Sequence, residues 1–160
     1  NFSSMSWVYS CGAGANYGTA LESALKMGET IHIPSCCYEI EEYIHGPNLQ
    51  LTPQYNVIFF DGNDGASRRV EQVYKATRKV TNRAYLISNN PQLSRDGHVL
   101  SLSDTVSSEL SPLVYLPFVQ LLSFIVSNDL HSIYQHPLLK EFKAIAAAKT
   151  ENFVNYDGDD

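Results

Sequence analysis

Two residues, Glu29 and His45, have the side-chain types that acid–base chemistry needs. Glu29 lies at the end of a helical pattern, where the helix dipole disfavours a negative charge. Partial burial in a cleft would act in the same direction, and both effects would make the carboxylate a better proton acceptor, as a general base must be. The alternative is a solvated glutamate at a helix end, which the residue types alone favour.

His45 ends a short acidic helix, predicted over residues 39–45, which stops at Gly46-Pro47. The helix dipole and the carboxylates of Glu41 and Glu42 favour an imidazolium there, so His45 could donate a proton near neutral pH. A histidine that only caps the helix is an equal alternative. Glu42 either orients His45 or belongs to a charged helix face.

The turn Gly12-Ala13-Gly14 follows a predicted strand and opens a helix, a geometry that can cradle an anion. The turn has only part of the glycine pattern of a dinucleotide-binding motif, and no acidic residue completes that motif. The carboxylates near His45 have no second histidine at ligand spacing, so we expect no metal and no cofactor.

Short apolar runs alternate with helical patterns along the chain, which predicts an α/β fold. The expected architecture is a three-layer, doubly wound sandwich with a five-stranded parallel sheet flanked by helices, and ligands bind beyond the carboxyl ends of such strands. One helix should carry Leu21, Ala24 and Leu25 on one face. The predicted strands are 7–11, 31–37, 57–60, 84–88 and 98–102, and the later helices are 67–82 and 111–127. We expect one domain over residues 1–149 and an acidic tail over 150–160.

Composition excludes several classes of function. The net charge of −6 argues against binding to nucleic acid, and the basic residues of the helix over 67–82 are expected to form a solvated face. The three cysteines, two of them adjacent, favour a reducing compartment, hence the cytoplasm. No membrane partner is expected, because the most apolar stretch, residues 113–126, is too short to cross a bilayer.

Three stretches resemble the sugar isomerase (SIS) family, in particular the C-terminal lobe of the isomerase half of glucosamine-6-phosphate synthase. They are residues 12–29, the run Glu42-Tyr43-Ile44-His45-Gly46-Pro47, and residues 111–122. The resemblance implies that Glu29 moves a proton between C1 and C2 of an open-chain sugar, and that His45 assists ring opening or donates a proton. Gly12, Asn16 and Glu42 are the expected substrate-binding residues. The chain would then be one lobe of a two-lobed enzyme that forms a homodimer or higher homo-oligomer.

Two departures from the synthase pattern shift the expected reaction. Gly28 stands where synthase-like enzymes have a lysine, and the tail after Phe153 lacks their lysine-bearing motif. Both favour a resemblance to Amadori-phosphate deglycases, which cleave 6-phosphorylated fructosyl amino acids without a cofactor. The alternatives are an aldose–ketose isomerase or aminosugar-phosphate deaminase with the same base, and a regulatory SIS module that binds a sugar phosphate without converting it.

Overall fold

The structure is a computed structural model that describes residues 4–102, 106–132 and 145. Five strands form one all-parallel sheet in the order β2-β1-β3-β4-β5. The strands are β1 (Val8–Gly12), β2 (Ser35–Glu39), β3 (Asn56–Asp61), β4 (Ala84–Ser88) and β5 (Val99–Ser101). The described α-helices are α1 (Asn16–Ile31), α2 (Ile40–Ile44), α3 (Ser67–Thr77) and α4 (Ser111–Leu130), and 3-10 turns cover Pro47–Gln50 and Pro91–Leu93.

Helices cover both faces of the sheet, which gives the three layers of a doubly wound α/β fold. One apolar cluster joins α1 and α4 to the sheet through residues such as Met27, Ile58 and Tyr115. A second cluster, on the opposite face, joins α2 and α3 to the sheet through residues such as Tyr43 and Phe59. Because both faces are covered, the central strands β1 and β3 are buried along their whole length. The predicted fold class is therefore confirmed.

Helices α1 and α4 run side by side and are tied at both ends. At their first turns, Asn16 Nδ2 donates to Ser111 Oγ at 2.7 Å. At their last turns, Ser132 Oγ donates to the carbonyl oxygen of Thr30 at 2.6 Å. These two bonds fix the direction of α1, and so the position of every side chain on its outer face.

One local prediction was wrong. The second strand was predicted over residues 31–37, but β2 begins at Ser35, because α1 continues to Ile31 and ends at His32 in the left-handed conformation. Leu21, Ala24 and Leu25 line one groove, as expected of residues that share a helix face, but the two leucines are 47% and 51% exposed while Ala24 is buried. The buried face of α1 consists mainly of small and polar residues, which allow the helix to approach β1 closely; they are Asn16, Thr19, Ala20, Ser23, Ala24, Met27 and Ile31.

Helix α4 is longer than the sequence predicted, and by length and composition alone it could cross a membrane. The length argument against a membrane span is therefore wrong. Its inner face, which includes Tyr115 and Val119, is buried in the domain, whereas its outer face exposes Leu113, Leu121, Phe124 and Ile125. The expected boundary at residue 149 and the acidic tail lie outside the described residues.

Candidate functional site

Glu29 lies in the last turn of α1, with its side chain half exposed. Its Oε2 accepts a hydrogen bond from Lys26 Nζ at 2.8 Å, and Lys26 Nζ also lies 3.5 Å from Glu22 Oε1. Lys26 therefore fixes the carboxylate in one orientation. The hydrogen bond to Glu29 raises the pKa of Lys26, so this ammonium remains charged beside the candidate base.

Sequence reasoning missed Lys26, although a signal was present. Residues three apart on a helix lie on the same face, so a lysine three residues before Glu29 should have been recognised as its partner.

Glu29 lies away from the edge of the sheet where ligands are expected. Helix α1 returns from the carboxyl end of β1 toward the start of β2, so Glu29 lies roughly 20 Å along the helix axis from its first turn. Glu29 therefore lies toward the amino ends of the strands, beside Ser35 at the start of β2. The sequence analysis had expected ligands beyond the carboxyl ends.

His45 follows the single turn of α2, and its backbone N–H donates to the carbonyl oxygen of Glu42 at 3.1 Å. Its side chain is exposed. Glu41, one turn earlier, accepts two hydrogen bonds from Arg69 of α3, at 2.7 and 3.0 Å. This pairing lowers the pKa of Glu41 and attaches α2 to α3, which positions the turn that carries His45. Arg69 lies on the expected exposed basic face of α3 and is ion-paired there.

The sheet separates the two predicted catalytic residues. Helix α1, which carries Glu29, packs on one face of the sheet, and α2, which precedes His45, packs on the other. Each side chain is exposed on its own side. No hydrogen bond or ion pair joins the two residues within the described part of the chain. Glu29 and His45 therefore belong to elements that lie on opposite faces of the sheet.

Glu42 lies where β2, the edge strand, meets α2. The negative charge of Glu42 contributes to the raised pKa of Tyr17 in α1 and of Cys37 in β2. The Cys37 thiol is the main cause of the raised pKa of Tyr17, and Glu42 contributes to the same shift. Glu42 is therefore close enough to α1 and to the edge strand to influence residues of both.

Gly12 and Asn16 have clear structural roles. A Cβ at Gly12 would lie 2.3 Å from the carbonyl oxygen of Asn16, so only glycine allows α1 to start this close to β1. Asn16 is completely buried, and its Oδ1 accepts from Thr19 Oγ1 at 3.0 Å while Nδ2 donates to Ser111. Both polar atoms of the amide thus have partners inside the domain. Binding of substrate by these residues stays a prediction.

A buried carboxylate, Asp61, lies at the carboxyl end of β3, one residue beyond the strand predicted over 57–60. Its Oδ2 accepts from Ser88 Oγ at 2.7 Å, and its Oδ1 accepts from the Asn63 backbone N–H at 3.0 Å and from Ser67 Oγ. The Asp61 carbonyl oxygen accepts from Tyr115 at 2.7 Å. Asp61 therefore connects β3, β4, α3 and α4, which is a structural role.

A groove of about 550 Å³ lies between α1 and the open edge of the sheet, with Glu29 in its wall. Most of its lining is apolar, from Leu21, Leu25 and the backbone at Gly28. Cys37 of β2 forms part of the opposite side. Within the described residues, no three histidine, cysteine, aspartate or glutamate side chains are placed to share a metal ion.

The SIS domain family matches residues 2–112, and the chain belongs to this family. A glutamine–fructose-6-phosphate aminotransferase (isomerizing) from Xylella fastidiosa is 28% identical over 125 residues, which is 77% of this chain and 20% of that protein. The chain thus spans about a fifth of the length of the curated relatives it matches.

Solved structures have the same fold. A proposed phosphosugar isomerase from Clostridium difficile superposes with a TM-score of 0.78 at 22% identity, over 94% of this chain and 42% of that one. The C-terminal domain of glucosamine-fructose-6-phosphate aminotransferase from Francisella tularensis gives a TM-score of 0.68 at 25% identity, over 79% and 37%. The fold is of the SIS phosphosugar-isomerase type.

Proposed function

We propose that the protein is a sugar-phosphate deglycase, which converts a 6-phosphorylated fructosyl amino acid into glucose 6-phosphate and a free amino acid. The observation that carries the proposal is the placement of Glu29. Its carboxylate is held by Lys26 at 2.8 Å in the wall of an open groove, on a fold of the phosphosugar-isomerase type. A carboxylate that is both oriented and accessible is what proton abstraction from carbon requires.

The reaction needs only acid–base steps. His45 helps to open the sugar ring, and Glu29 removes a proton from C1, whose acidity comes from the adjacent C2 carbonyl. The electron pair of the C–H bond forms the C1–C2 double bond while the C2 carbonyl oxygen takes a proton, which gives an enaminol. Return of a proton to C2 gives an imine at C1, and one water molecule hydrolyses this imine to the aldehyde and the free amine. No electron is gained or lost, so the steps balance without an oxidant.

Glu29 and His45 act in this proposal from different copies of the chain. The separation of the two residues by the sheet supports this arrangement. His45 of one copy then completes the site of its neighbour, and the protein functions as a homodimer or higher homo-oligomer.

An aldose–ketose isomerase is the second candidate, favoured by the similarity to a proposed phosphosugar isomerase. It would use the same base at Glu29 on a substrate without an amine. Gly28 in place of the lysine of synthase-like enzymes, and a substrate-sized groove beside Glu29, support the deglycase. Release of a free amine distinguishes the two reactions.

The test is a coupled assay for glucose 6-phosphate, with a series of 6-phosphofructosyl amino acids and the full-length protein. We expect turnover by the wild type and a loss of at least about a hundred-fold for Glu29→Gln and His45→Asn, since a positioned acid or base contributes factors of this order. Glu29→Gln keeps the shape of the side chain, His45→Asn leaves a smaller polar one, and circular dichroism checks the fold of both variants. Absence of turnover for every Amadori phosphate would exclude the deglycase, and conversion of plain sugar phosphates would then favour the isomerase.

Complementation tests the shared site. Glu29→Gln and His45→Asn chains are inactive separately, but a dimer that contains one of each has one site with both residues intact. After subunits are mixed at random, about a quarter of the wild-type activity should return if the protein is a twofold dimer. Mixed oligomers without activity would show that His45 does not act in a neighbouring copy.

The proposal also places the protein in the cytoplasm, where its phosphorylated substrates would occur. All three cysteines are free, Cys11 in the core and Cys36 at the surface, which agrees with a reducing compartment. The partner is a phosphorylated sugar–amine, and neither nucleic acid nor membrane is needed.

A further inference from the structure

The groove beside Glu29 has the form of a subsite for an apolar group. Leu21 and Leu25, one turn apart on the outer face of α1, form one wall, and Cys37 of the edge strand lies opposite. The two leucines are about half exposed, although α1 has a buried face that could have taken apolar residues. An apolar ligand group placed here would remove their surface from water, which is favourable.

Gly28 keeps this groove open beside Glu29. A Cβ at Gly28 would meet no atom within 4 Å, and its φ is not in the positive range that favours glycine. Glycine inside a helix is less favourable than alanine. Neither packing nor backbone conformation therefore requires glycine here, in contrast to Gly12, where a Cβ would clash. What Gly28 provides is free space in the groove.

The charges around the groove indicate which group it accepts. Glu29 is the only charged residue in the groove's described lining, and Lys26 and Glu22 lie on the neighbouring face of α1. No cationic side chain is in the groove's described lining, so an acidic side chain would find no partner of opposite charge there. An uncharged aliphatic side chain would meet Leu21 and Leu25, while an α-carboxylate near Glu29 could pair with the ammonium of Lys26.

We infer that this groove holds the amino-acid part of the substrate, that it prefers an aliphatic side chain, and that Gly28 is the specificity-determining residue. The inference rests on the deglycase activity proposed above. The sugar phosphate lies outside the groove, with C1 at Glu29, and the amino-acid side chain extends along α1 past Gly28 toward Leu25 and Leu21.

The test compares two substrates that differ only in the side chain, 6-phosphofructosyl-leucine and 6-phosphofructosyl-glycine, in the full-length protein. The wild type should show a kcat/KM at least roughly ten-fold higher for the leucine compound, the effect of filling an apolar pocket. Gly28→Leu should abolish this advantage, because kcat/KM should fall at least about ten-fold more for the leucine compound than for the glycine compound. Gly18→Leu is the matched control, because Gly18 also lies on α1, has no atom within 4 Å of its Cβ position and lies outside the groove.

Each outcome is decisive. Turnover of both compounds without preference for leucine would overturn the inference and leave the deglycase proposal intact. An equal loss for both compounds in Gly28→Leu would overturn it too, since the added side chain would then disturb Glu29 instead of a subsite. If the wild type converts neither compound nor any other Amadori phosphate, the proposed function fails and the inference fails with it. A preference for 6-phosphofructosyl-aspartate would contradict the charge argument.

Discussion

Asn16 and Ser111, 95 residues apart in sequence, are joined by a hydrogen bond of 2.7 Å between two buried side chains. The bond links the first turns of α1 and α4. Lys26 and Glu29 lie near the carboxyl end of α1. By holding the amino end of this helix in place, the hydrogen bond also contributes to the position of the candidate base.

Ser111→Ala should lower the free energy of unfolding by about 1–3 kcal/mol, because the amide of Asn16 would remain buried without this partner. Chemical denaturation measures the change. Ser123→Ala is the control on the same helix, since Ser123 is also buried but bonds only to the carbonyl oxygen of Gln120 in its own helix. Equal losses for the two variants would contradict a special role for the bond between α1 and α4.

Gly12→Ala should destabilise the protein by about 1–3 kcal/mol, since the new methyl group would lie 2.3 Å from the Asn16 carbonyl oxygen. Gly18→Ala should instead stabilise it by about 0.5–1 kcal/mol, because its Cβ enters open space on the same helix. Thermal unfolding of both variants measures these two changes in stability. A Gly12→Ala protein as stable as the wild type would show that the turn can relax.

Lys26→Met should lower kcat more than it changes KM, because Lys26 positions Glu29 through a 2.8 Å bond. We expect a loss of at least about ten-fold, as misplacement of a catalytic group commonly causes. Lys26→Arg should restore part of the rate, since a guanidinium can also donate to the carboxylate.

Glu22→Gln is the control for this prediction, because it removes the more distant partner of Lys26, at 3.5 Å, and leaves the bond to Glu29. Its rate should remain near that of the wild type. If Glu22→Gln and Lys26→Met lose the same activity, the role of Lys26 lies in the charge network and not in the position of Glu29.

Alkylation of the three cysteines by iodoacetamide should follow the order Cys36, Cys37, Cys11. Cys36 is exposed, whereas burial raises the pKa of Cys37 and raises that of Cys11 well above its usual range. Iodoacetamide reacts with the thiolate, so a raised pKa lowers the rate at mildly alkaline pH. Peptide mass spectrometry over time gives the order, and rapid labelling of Cys11 would show that the core opens readily.

The strands of the sheet centre could be predicted because their residues are apolar without interruption. The run over 57–60 lies inside β3, and the predicted bounds of β4 are those observed. The start of β2 could not be predicted from the apolar residue Ile31. Its side chain would be buried equally well at the end of a helix or within a strand. The residue that ends α1 in the left-handed conformation is His32, not the glycine that usually marks such an end.

The separation of Glu29 from His45 could not be read from their spacing of sixteen residues. It follows from the strand order. The chain moves from β1 to β2 in one direction and from β2 back past β1 to β3 in the other. Right-handed crossovers in opposite directions place their helices on opposite faces of a sheet. Strand order depends on pairing between distant segments, which no local pattern contains.

The outer face of α4 has a consequence for handling the protein in solution. Leu113, Leu121, Phe124 and Ile125 are between 48% and 69% exposed, on a helix apolar enough to resemble a membrane span. An exposed apolar surface of this kind lowers the solubility of a protein when no other protein covers it. The isolated domain should therefore bind hydrophobic dyes and precipitate as its concentration rises, and its yield should improve when other protein covers this helix.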